Sequence, residues 1–202
     1  MKLTTEPHFV RSIVQPYTIW NNCFTSEQLD QIIQMHDQHG VETSTVGSDS
    51  ALDSKIRKSS SAFHFKNADN NWIFDRLLYM TETTNDIFFQ FDLLGFEKYQ
   101  YTVYNSTDYY DYHVDIVFGS TAINQESHLA RKLSVSIQLN DSSEFDGGNL
   151  ELCYGLPDQP ISLKLEKGTA VFFPSYMLHK VAPITRGVRK SLVVWALGPK
   201  FK

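Results

Sequence analysis

The chain has 202 residues, of which 42% are hydrophobic and 13% aromatic, and its formal net charge is −5 at pH 7. A chain of this length and composition can bury a substantial core, and we expect a single domain over residues 1–202. The mild negative charge argues against nucleic acid as a partner, because a phosphate backbone requires a basic protein face.

The N-terminus predicts neither a signal peptide nor a membrane anchor. The opening residues, MKLTTEPHFVRSIV, contain no continuous apolar segment, and no apolar stretch in the sequence is long enough to cross a bilayer. The two cysteines, Cys23 and Cys153, are far apart and fit no metal or redox spacing, which suits a reducing compartment. We therefore expect a cytoplasmic protein that does not associate with membranes.

Residues 1–96 predict a mainly helical N-terminal support. Thr25 and Gln28 form a capping box, and apolar residues at helical spacing follow as far as Gly40, where the helix can end. A loop is predicted over residues 41–55, a weak strand over 56–65 and a second helix over about 72–89. The apolar positions expected on the second helix are Trp72, Leu77, Leu78, Ile87 and Phe88.

Short strand-like segments separated by turn residues fill the chain from residue 97 to residue 198. They lie at residues 99–104, 112–118, 133–139, 149–154, 161–165, 169–173, 178–181 and 192–197. About eight short strands with Gly, Pro and Asp between them predict a jelly roll, also called a double-stranded β-helix. The expected fold class is therefore α+β with a mainly β core and the N-terminal helices packed on one face. Residues 119–131 form the longest polar gap between strands, which is typical of a lid.

Four residues in this half of the chain are candidates for a metal site. His113 and Asp115 lie one residue apart in YYDYHVDIVF, so on a strand they would point the same way, either as a polar outer face or as part of a metal site. His179 and Arg189 lie on the next predicted strands, and an antiparallel hairpin would bring them together. Two histidines and a carboxylate are the ligands of non-haem Fe(II) oxygenases. A nearby arginine can bind a co-substrate carboxylate through two hydrogen bonds.

The order of these residues resembles the 2-oxoglutarate- and Fe(II)-dependent dioxygenases, and within them the prolyl 4-hydroxylase-like, or PKHD-type, hydroxylases. Tyr104, Tyr110, His113 and Asp115 match the Tyr…Tyr-x-x-His-x-Asp run of that branch. RKLSVSIQLNDSSEFDGGNLEL at 131–152 resembles its central strand and Gly-Gly-x-Leu strand. GTAVFFPSYMLHKVAPITRGVRKSLVVW at 168–195 resembles its second-histidine strand and the basic residue that follows. The resemblance covers about residues 97–198 and is poor before them.

The resemblance implies a catalytic site with Fe(II), 2-oxoglutarate and O₂ as its cofactors, and it suggests L-ascorbate as a further one. By that resemblance the residues that bind iron and carry the catalysis are His113, Asp115 and His179. Arg189 is implied to bind the distal carboxylate of 2-oxoglutarate, with further contacts from Tyr104 and Ser191.

Several neighbouring residues have simpler interpretations or depart from the family pattern. Several relatives carry a tyrosine or threonine where this chain has Gln138. Trp195 is expected in the core and Arg186 in solvent, whereas Tyr110 fits equally a strand face or the site. Arg57, with Lys58 beside it, could face substrate, but a charged strand edge is the favoured interpretation.

The implied activity is hydroxylation of an unactivated C–H bond, with succinate and CO₂ as co-products. A prolyl residue of a peptide or protein is the favoured substrate by the resemblance, and a free amino acid or other small molecule is the alternative. A nucleic-acid demethylase is disfavoured by the acidic balance. A jelly-roll module that binds without turnover would have no need of an open iron face, and a structural protein would leave these ligands unexplained if they point inward.

Overall fold

The computed structural model describes residues 16–44, 55–96, 98–116, 129–155 and 158–200. Its helices are α1 (Ser26–His39) and α2 (Asn71–Thr84), and a π-helical segment (Asn85–Phe89) continues α2. Its strands are β1 (Thr18–Trp20), β2 (Glu42–Thr43), β3 (Arg57–Lys58), β4 (Ser60–His64), β5 (Gly95–Phe96), β6 (Tyr99–Tyr104), β7 (Tyr109–His113), β8 (Leu129–Gln138), β9 (Phe145–Gly147), β10 (Leu150–Cys153), β11 (Ile161–Leu163), β12 (Ala170–Pro174), β13 (Leu178–Val181), β14 (Ile184–Gly187) and β15 (Arg189–Pro199).

Two antiparallel sheets and a short ribbon make up the β structure. The larger sheet has the strand order β1-β12-β8-β15-β6-β4-β2, with β5 also paired to β15. The smaller sheet has the order β11-β10-β13-β7-β3, and β14 pairs with β9. The mainly antiparallel β core confirms the predicted double-stranded β-helix.

Alternation along the larger sheet separates a helix-covered face from an inner face. On β8, Val135 and Ile137 belong to the main hydrophobic core together with Ile32 of α1 and Leu77 of α2. The intervening Ser134 points the other way and contacts Asp115 on the smaller sheet's side. The two helices therefore cover one face of the larger sheet, and its other face turns polar side chains toward the second sheet.

The first helix begins as the sequence predicts. The Thr25 side chain accepts from the backbone N–H of Gln28, the Gln28 side chain bonds back to Thr25, and Gly40 follows the last turn with φ of 76°. The second helix ends earlier than predicted, at Thr84, and five residues of π-helix follow. No helix in the described part of the chain is long and apolar enough to cross a membrane.

The predicted apolar positions of the second helix are only partly correct. Leu77 is fully buried, but Leu78, Ile87 and Phe88 are 42%, 64% and 46% exposed. Ile87 and Phe88 lie in the π-helical segment, which has more residues per turn than an α-helix, so positions spaced for an α-helix leave the buried face. Leu78 lies on the exposed side of α2 itself. The assignment of these three residues to a packed face was wrong.

The N-terminal part also contributes strands. β1 pairs with β12 and β4 pairs with β6, so both extend the larger sheet, while β3 pairs with β7 in the smaller one. The predicted strand over 56–65 corresponds to β3 and β4. The single-domain organisation over residues 1–202 stays a prediction.

The hairpin expected between the strands of His179 and Arg189 was wrong. β13, which carries His179, pairs with β10 and β7 in the smaller sheet, whereas β15, which begins at Arg189, pairs with β8 and β6 in the larger one. Between them β14 turns away to pair with β9. The two residues therefore belong to opposite sheets.

Candidate active site

Two histidines and one aspartate converge at one end of the smaller sheet. His113 and His179 face each other in the register of β7 and β13. Asp115 follows β7 in a bend, where its backbone N–H donates to the Ser175 carbonyl at 2.9 Å. Its carboxylate oxygens lie 3.8 Å from His113 Nε2 and 3.6 Å from His179 Nε2. One ligand atom from each residue lies within 4.8 Å of the others, so this trio could hold a metal ion.

Backbone carbonyls orient both imidazoles. His113 Nδ1 lies 2.8 Å from the Asp111 carbonyl, and His179 Nδ1 lies 2.9 Å from the Met177 carbonyl. A carbonyl only accepts, so Nδ1 carries the proton in each ring and Nε2 keeps a free lone pair. Tyr110 stacks on His113 with ring centroids 3.5 Å apart and an interplanar angle of 11°. Both Nε2 atoms are thus fixed toward Asp115 as potential ligands.

The charges of the trio suit a metal cation. Burial, together with the nearby His179, lowers the pKa of His113 to about 3, although Asp115 acts in the opposite direction. Burial alone would raise the pKa of Asp115, but the two imidazoles and the Ser134 hydroxyl hold it below its ordinary value. At neutral pH the site therefore offers a neutral His113 and an ionised carboxylate, the protonation states that metal binding requires.

Ser134 is a site residue that the sequence interpretation missed. Its hydroxyl donates to Oδ2 of Asp115 at 2.7 Å and lies 2.9 Å from the Ser175 hydroxyl. It is fully buried on the inner face of β8. The available signal was LSVSIQ, in which small polar residues alternate with aliphatic ones, because such alternation marks a strand with one polar face.

A cavity of about 310 Å³ opens over the trio between the two sheets. Its lining includes Arg57, Tyr104, Tyr110, His113, Asp115, Arg131, His179 and Trp195. Trp195 therefore faces the cavity, where its ring lies 3.8 Å from the Arg131 guanidinium carbon. The core interpretation of Trp195 was incomplete, because it is buried yet on the inner face of β15.

Arg57 also differs from its favoured interpretation. It is 7% exposed, its Nε donates to Ser59 Oγ at 2.8 Å, and its guanidinium lies 4.7 Å from the Tyr110 ring centroid. β3 is an edge strand of the smaller sheet, as predicted, but the Arg57 side chain points from it toward the cavity. Lys58, with its side chain 55% exposed, does lie at the edge and pairs with Asp108. Arg186 is exposed as predicted and pairs with Asp146.

Arg189 lies behind the cavity wall as a buried cation. It is 2% exposed, its guanidinium carbon lies 5.5 Å from the Tyr104 ring centroid, and its Nη2 has no hydrogen-bond partner among the described residues. Burial lowers its pKa. A buried guanidinium without an anion is costly, so this position fits a carboxylate group that reaches it from the cavity. Ser191 lies two residues further along the same face of β15 and is 1% exposed.

Gln138 lies opposite Ser191 in the register of β8 and β15. Its amide N–H group donates to Asn140, at 3.0 Å to the carbonyl and 3.1 Å to Oδ1, and its own Oε1 has no partner among the described residues. The amide donors are thus directed to Asn140. The predicted lid over 119–131 falls largely outside the described residues, since only 129–131 are described, as the start of β8.

Comparisons with known proteins agree with this fold and site. Residues 99–197 match the model of the 2OG-Fe(II) oxygenase superfamily. A PKHD-type hydroxylase of Shewanella frigidimarina is 39% identical over 92 residues, which are 46% of this chain and 39% of that protein. The chain thus spans about two fifths of the length of the curated relatives it matches.

Solved structures with the same fold include two prolyl hydroxylases. A Pseudomonas putida prolyl-4-hydroxylase aligns with a TM-score of 0.69 at 16% identity, over 93% of this chain and 95% of that one. A Trichoplax adhaerens prolyl hydroxylase in complex with a hypoxia inducible factor peptide fragment aligns with a TM-score of 0.67 at 17% identity, over 90% of this chain and 83% of that one.

By this match, residues 99–197 are similar to the 2OG-Fe(II) oxygenase superfamily. Proteins of that superfamily are oxygenases that use Fe(II), 2-oxoglutarate and O₂ as cofactors. The residues present fit these groups on two observations. Two free Nε2 atoms and an ionised carboxylate converge on one point, and the buried Arg189 lacks an anionic partner among the described residues.

Proposed function

We propose that this protein is an Fe(II)- and 2-oxoglutarate-dependent hydroxylase in which His113, Asp115 and His179 hold the iron and Arg189 binds the distal carboxylate of 2-oxoglutarate. The proposal depends on finding, in one β-helix interior, both a His/Asp/His trio and a buried arginine whose Nη2 has no hydrogen-bond partner in the described part of the chain. A module that only binds a metal would not require that cation. L-Ascorbate as an additional cofactor is part of the same proposal.

Each protein group has a separate task in this mechanism. Bound Fe(II), 2-oxoglutarate and O₂ supply the oxidising chemistry, with succinate and CO₂ as co-products. The Nδ1 hydrogen bonds of His113 and His179 keep their Nε2 atoms aimed at one point. Ser134 holds the Asp115 carboxylate between them. Together these bonds leave one side of the trio facing the cavity, where ligands can bind.

Binding of 2-oxoglutarate depends on Arg189 and its neighbours. The guanidinium can donate two hydrogen bonds to a carboxylate, and low local polarity strengthens them. Tyr104 lines the cavity and also contacts Arg189, so it is placed to lie beside the chain of 2-oxoglutarate. Ser191 supplies a further hydroxyl on the same face. The buried walls exclude water from the reacting groups.

The favoured substrate is a prolyl residue of a peptide or protein. Support comes from the similarity to PKHD-type hydroxylases and from the fold shared with prolyl hydroxylases, one of them in complex with a peptide fragment. The cavity adds aromatic and cationic side chains, Tyr110, Trp195 and Arg57, which suit contact with a proline ring and with peptide carbonyls. A cytoplasmic location and the absence of nucleic-acid partners remain predictions from the sequence.

The test is succinate formation from 2-oxoglutarate with Fe(II) and ascorbate under air, in the presence of proline-containing peptides. Matched peptides carry alanine in place of each proline, free amino acids form a second set, and His179→Ala is the inactive control. We expect stimulation by proline peptides only, with a gain of one oxygen atom in their mass. Equal stimulation by the alanine peptides would exclude the prolyl assignment, and stimulation by free amino acids alone would establish the small-molecule alternative.

A further inference from the structure

The backbone on both sides of Arg189 is bound by a single side chain, that of Asn140. The Asn140 Nδ2 group donates to the Val188 carbonyl at 2.9 Å, and its Oδ1 accepts from the Lys190 backbone N–H at 2.7 Å. These two groups belong to the peptide units immediately before and after Arg189. One amide therefore fixes both peptide planes that set φ and ψ of Arg189.

The orientation of this amide is determined by its partners. A backbone carbonyl only accepts and a backbone N–H only donates, so Asn140 cannot be flipped without losing both bonds. Gln138 Nε2 donates to Oδ1 at 3.1 Å, and Nδ2 also lies 3.2 Å from Glu144 Oε2. Asn140 is 4% exposed, so these bonds are shielded from water.

We infer that Asn140 is a positioning residue for Arg189 in the binding of 2-oxoglutarate; this inference rests on the proposed function. Arg189 is the first residue of β15, and strand ends fray unless they are bound. Its side chain carries a buried charge that must meet a carboxylate with the correct geometry. Holding its backbone before binding reduces the ordering cost that the co-substrate would otherwise bear.

The same network accounts for Gln138. The Gln138 side chain is an amide whose donors are bound to Asn140. Gln138 therefore acts on the co-substrate site through Asn140 and the Arg189 backbone.

The experiment is calorimetric titration of 2-oxoglutarate into Mn(II)-loaded protein, because Mn(II) allows binding without turnover. The variants are Asn140→Ala, Arg189→Met and the double variant. We expect Asn140→Ala to raise the Kd of 2-oxoglutarate about ten-fold, and the Kd of Mn(II) to stay within about two-fold. In the Arg189→Met background the same change should have no further effect on 2-oxoglutarate affinity, because the group that Asn140 positions is gone.

Asn85 supplies a matched control. Its Nδ2 donates to the Phe91 carbonyl and its Oδ1 accepts from the Phe91 backbone N–H, both at 2.9 Å, and it is 8% exposed, but it lies in the π-helical segment. Asn85→Ala should reduce stability and leave 2-oxoglutarate affinity unchanged. A merely structural role for Asn140 predicts that the two alanine variants behave alike.

If Asn140→Ala does not fold, Asn140→Asp keeps the side-chain shape and replaces the donor to Val188, and the same loss of affinity is expected.

A second probe separates the distal carboxylate from the metal-binding end. 2-Oxopentanoate has a methyl group in place of that carboxylate, so its affinity should not respond to Asn140→Ala. An equal loss for both ligands, or an additive loss in the double variant, would overturn the role of Asn140. If Arg189→Met leaves the Kd of 2-oxoglutarate unchanged, the proposed function itself has failed at Arg189.

Discussion

The Ser134 hydroxyl donates a 2.7 Å hydrogen bond to the carboxylate of Asp115, which lies between two imidazoles. This bond links the larger sheet to the metal-site end of the smaller one. It also uses one lone pair of an acid that the two histidine rings approach from its other sides. Ser134 therefore fixes the orientation of the Asp115 carboxylate toward the two imidazoles.

Removing this hydroxyl should weaken metal binding. We expect Ser134→Ala to raise the Kd of Fe(II), measured anaerobically, by about 10- to 100-fold, because partners that orient a ligand have effects of that size. The control is Ser136→Ala, which lies on the same face of β8 and lines the cavity. An equal effect of the two substitutions would show that Ser134 acts through general packing.

Gly148 is expected to tolerate no side chain. It has φ of +66°, and a Cβ there would lie 2.3 Å from Ile184 Cδ1 and 2.9 Å from Arg189 Cδ. Gly148→Ala should reduce the free energy of unfolding by about 1–3 kcal/mol through overpacking. Urea denaturation measures the change.

Gly155 controls for backbone strain in that experiment. It has φ of +101°, but a Cβ there would meet no atom of the described residues within 4 Å. Gly155→Ala should therefore cost less than Gly148→Ala. Equal costs would mean that left-handed backbone conformation alone explains the loss, and that contact with Arg189 contributes nothing.

A buried histidine pair predicts acid sensitivity outside the active site. His36 is 2% exposed, its ring centroid lies 4.1 Å from that of His64, and its Nε2 lies 3.1 Å from the Tyr99 hydroxyl. Burial, with smaller contributions from His64 and His39, lowers the pKa of His36 from 6.5 to about 3. The unfolded chain therefore takes up this proton first as the pH falls.

The contribution of His36 to the free energy of unfolding should be fully present above pH 6.5 and be lost as the pH falls from about 6.5 to about 3. Over this range the free energy of unfolding should change by up to about 1.4 kcal/mol per pH unit. Urea denaturation of wild type and His36→Gln across this range measures the difference. The His36→Gln protein should show a shallower slope, and His39→Gln should not. Parallel curves for wild type and His36→Gln would contradict the assignment.

The sequence predicted well the features that depend on local pattern. The capping box at Thr25, the strand ending at Tyr104 and the strand over 178–181 follow from short-range spacing and turn residues. The sequence identified the His-x-Asp motif, but it wrongly placed both residues on one strand. Asp115 lies after the end of β7 and is held by the Ser175 carbonyl, so a long-range bond places it.

Features that depend on sheet topology could not be read from local pattern. The distance along the chain from His179 to Arg189 suggested a hairpin, but β14 pairs with β9 and separates them into opposite sheets. Arg57 and Lys58 both lie on the predicted strand edge, β3, but Arg57 faces the cavity. Which of two adjacent residues faces inward depends on the strand's register with β7.

The most direct test of the account is anaerobic binding of Fe(II) and then 2-oxoglutarate to four proteins: wild type, His179→Ala, Arg189→Met and Arg186→Met. Wild type should bind one Fe(II) and then 2-oxoglutarate, and His179→Ala should lose the metal. Arg189→Met should keep the metal and raise the Kd of 2-oxoglutarate by at least about 30-fold, since a buried charge-paired bond is lost. Arg186→Met, which removes an exposed arginine paired with Asp146, should match wild type. Normal Fe(II) binding by His179→Ala, or equal 2-oxoglutarate affinity in the two arginine variants, would contradict the account.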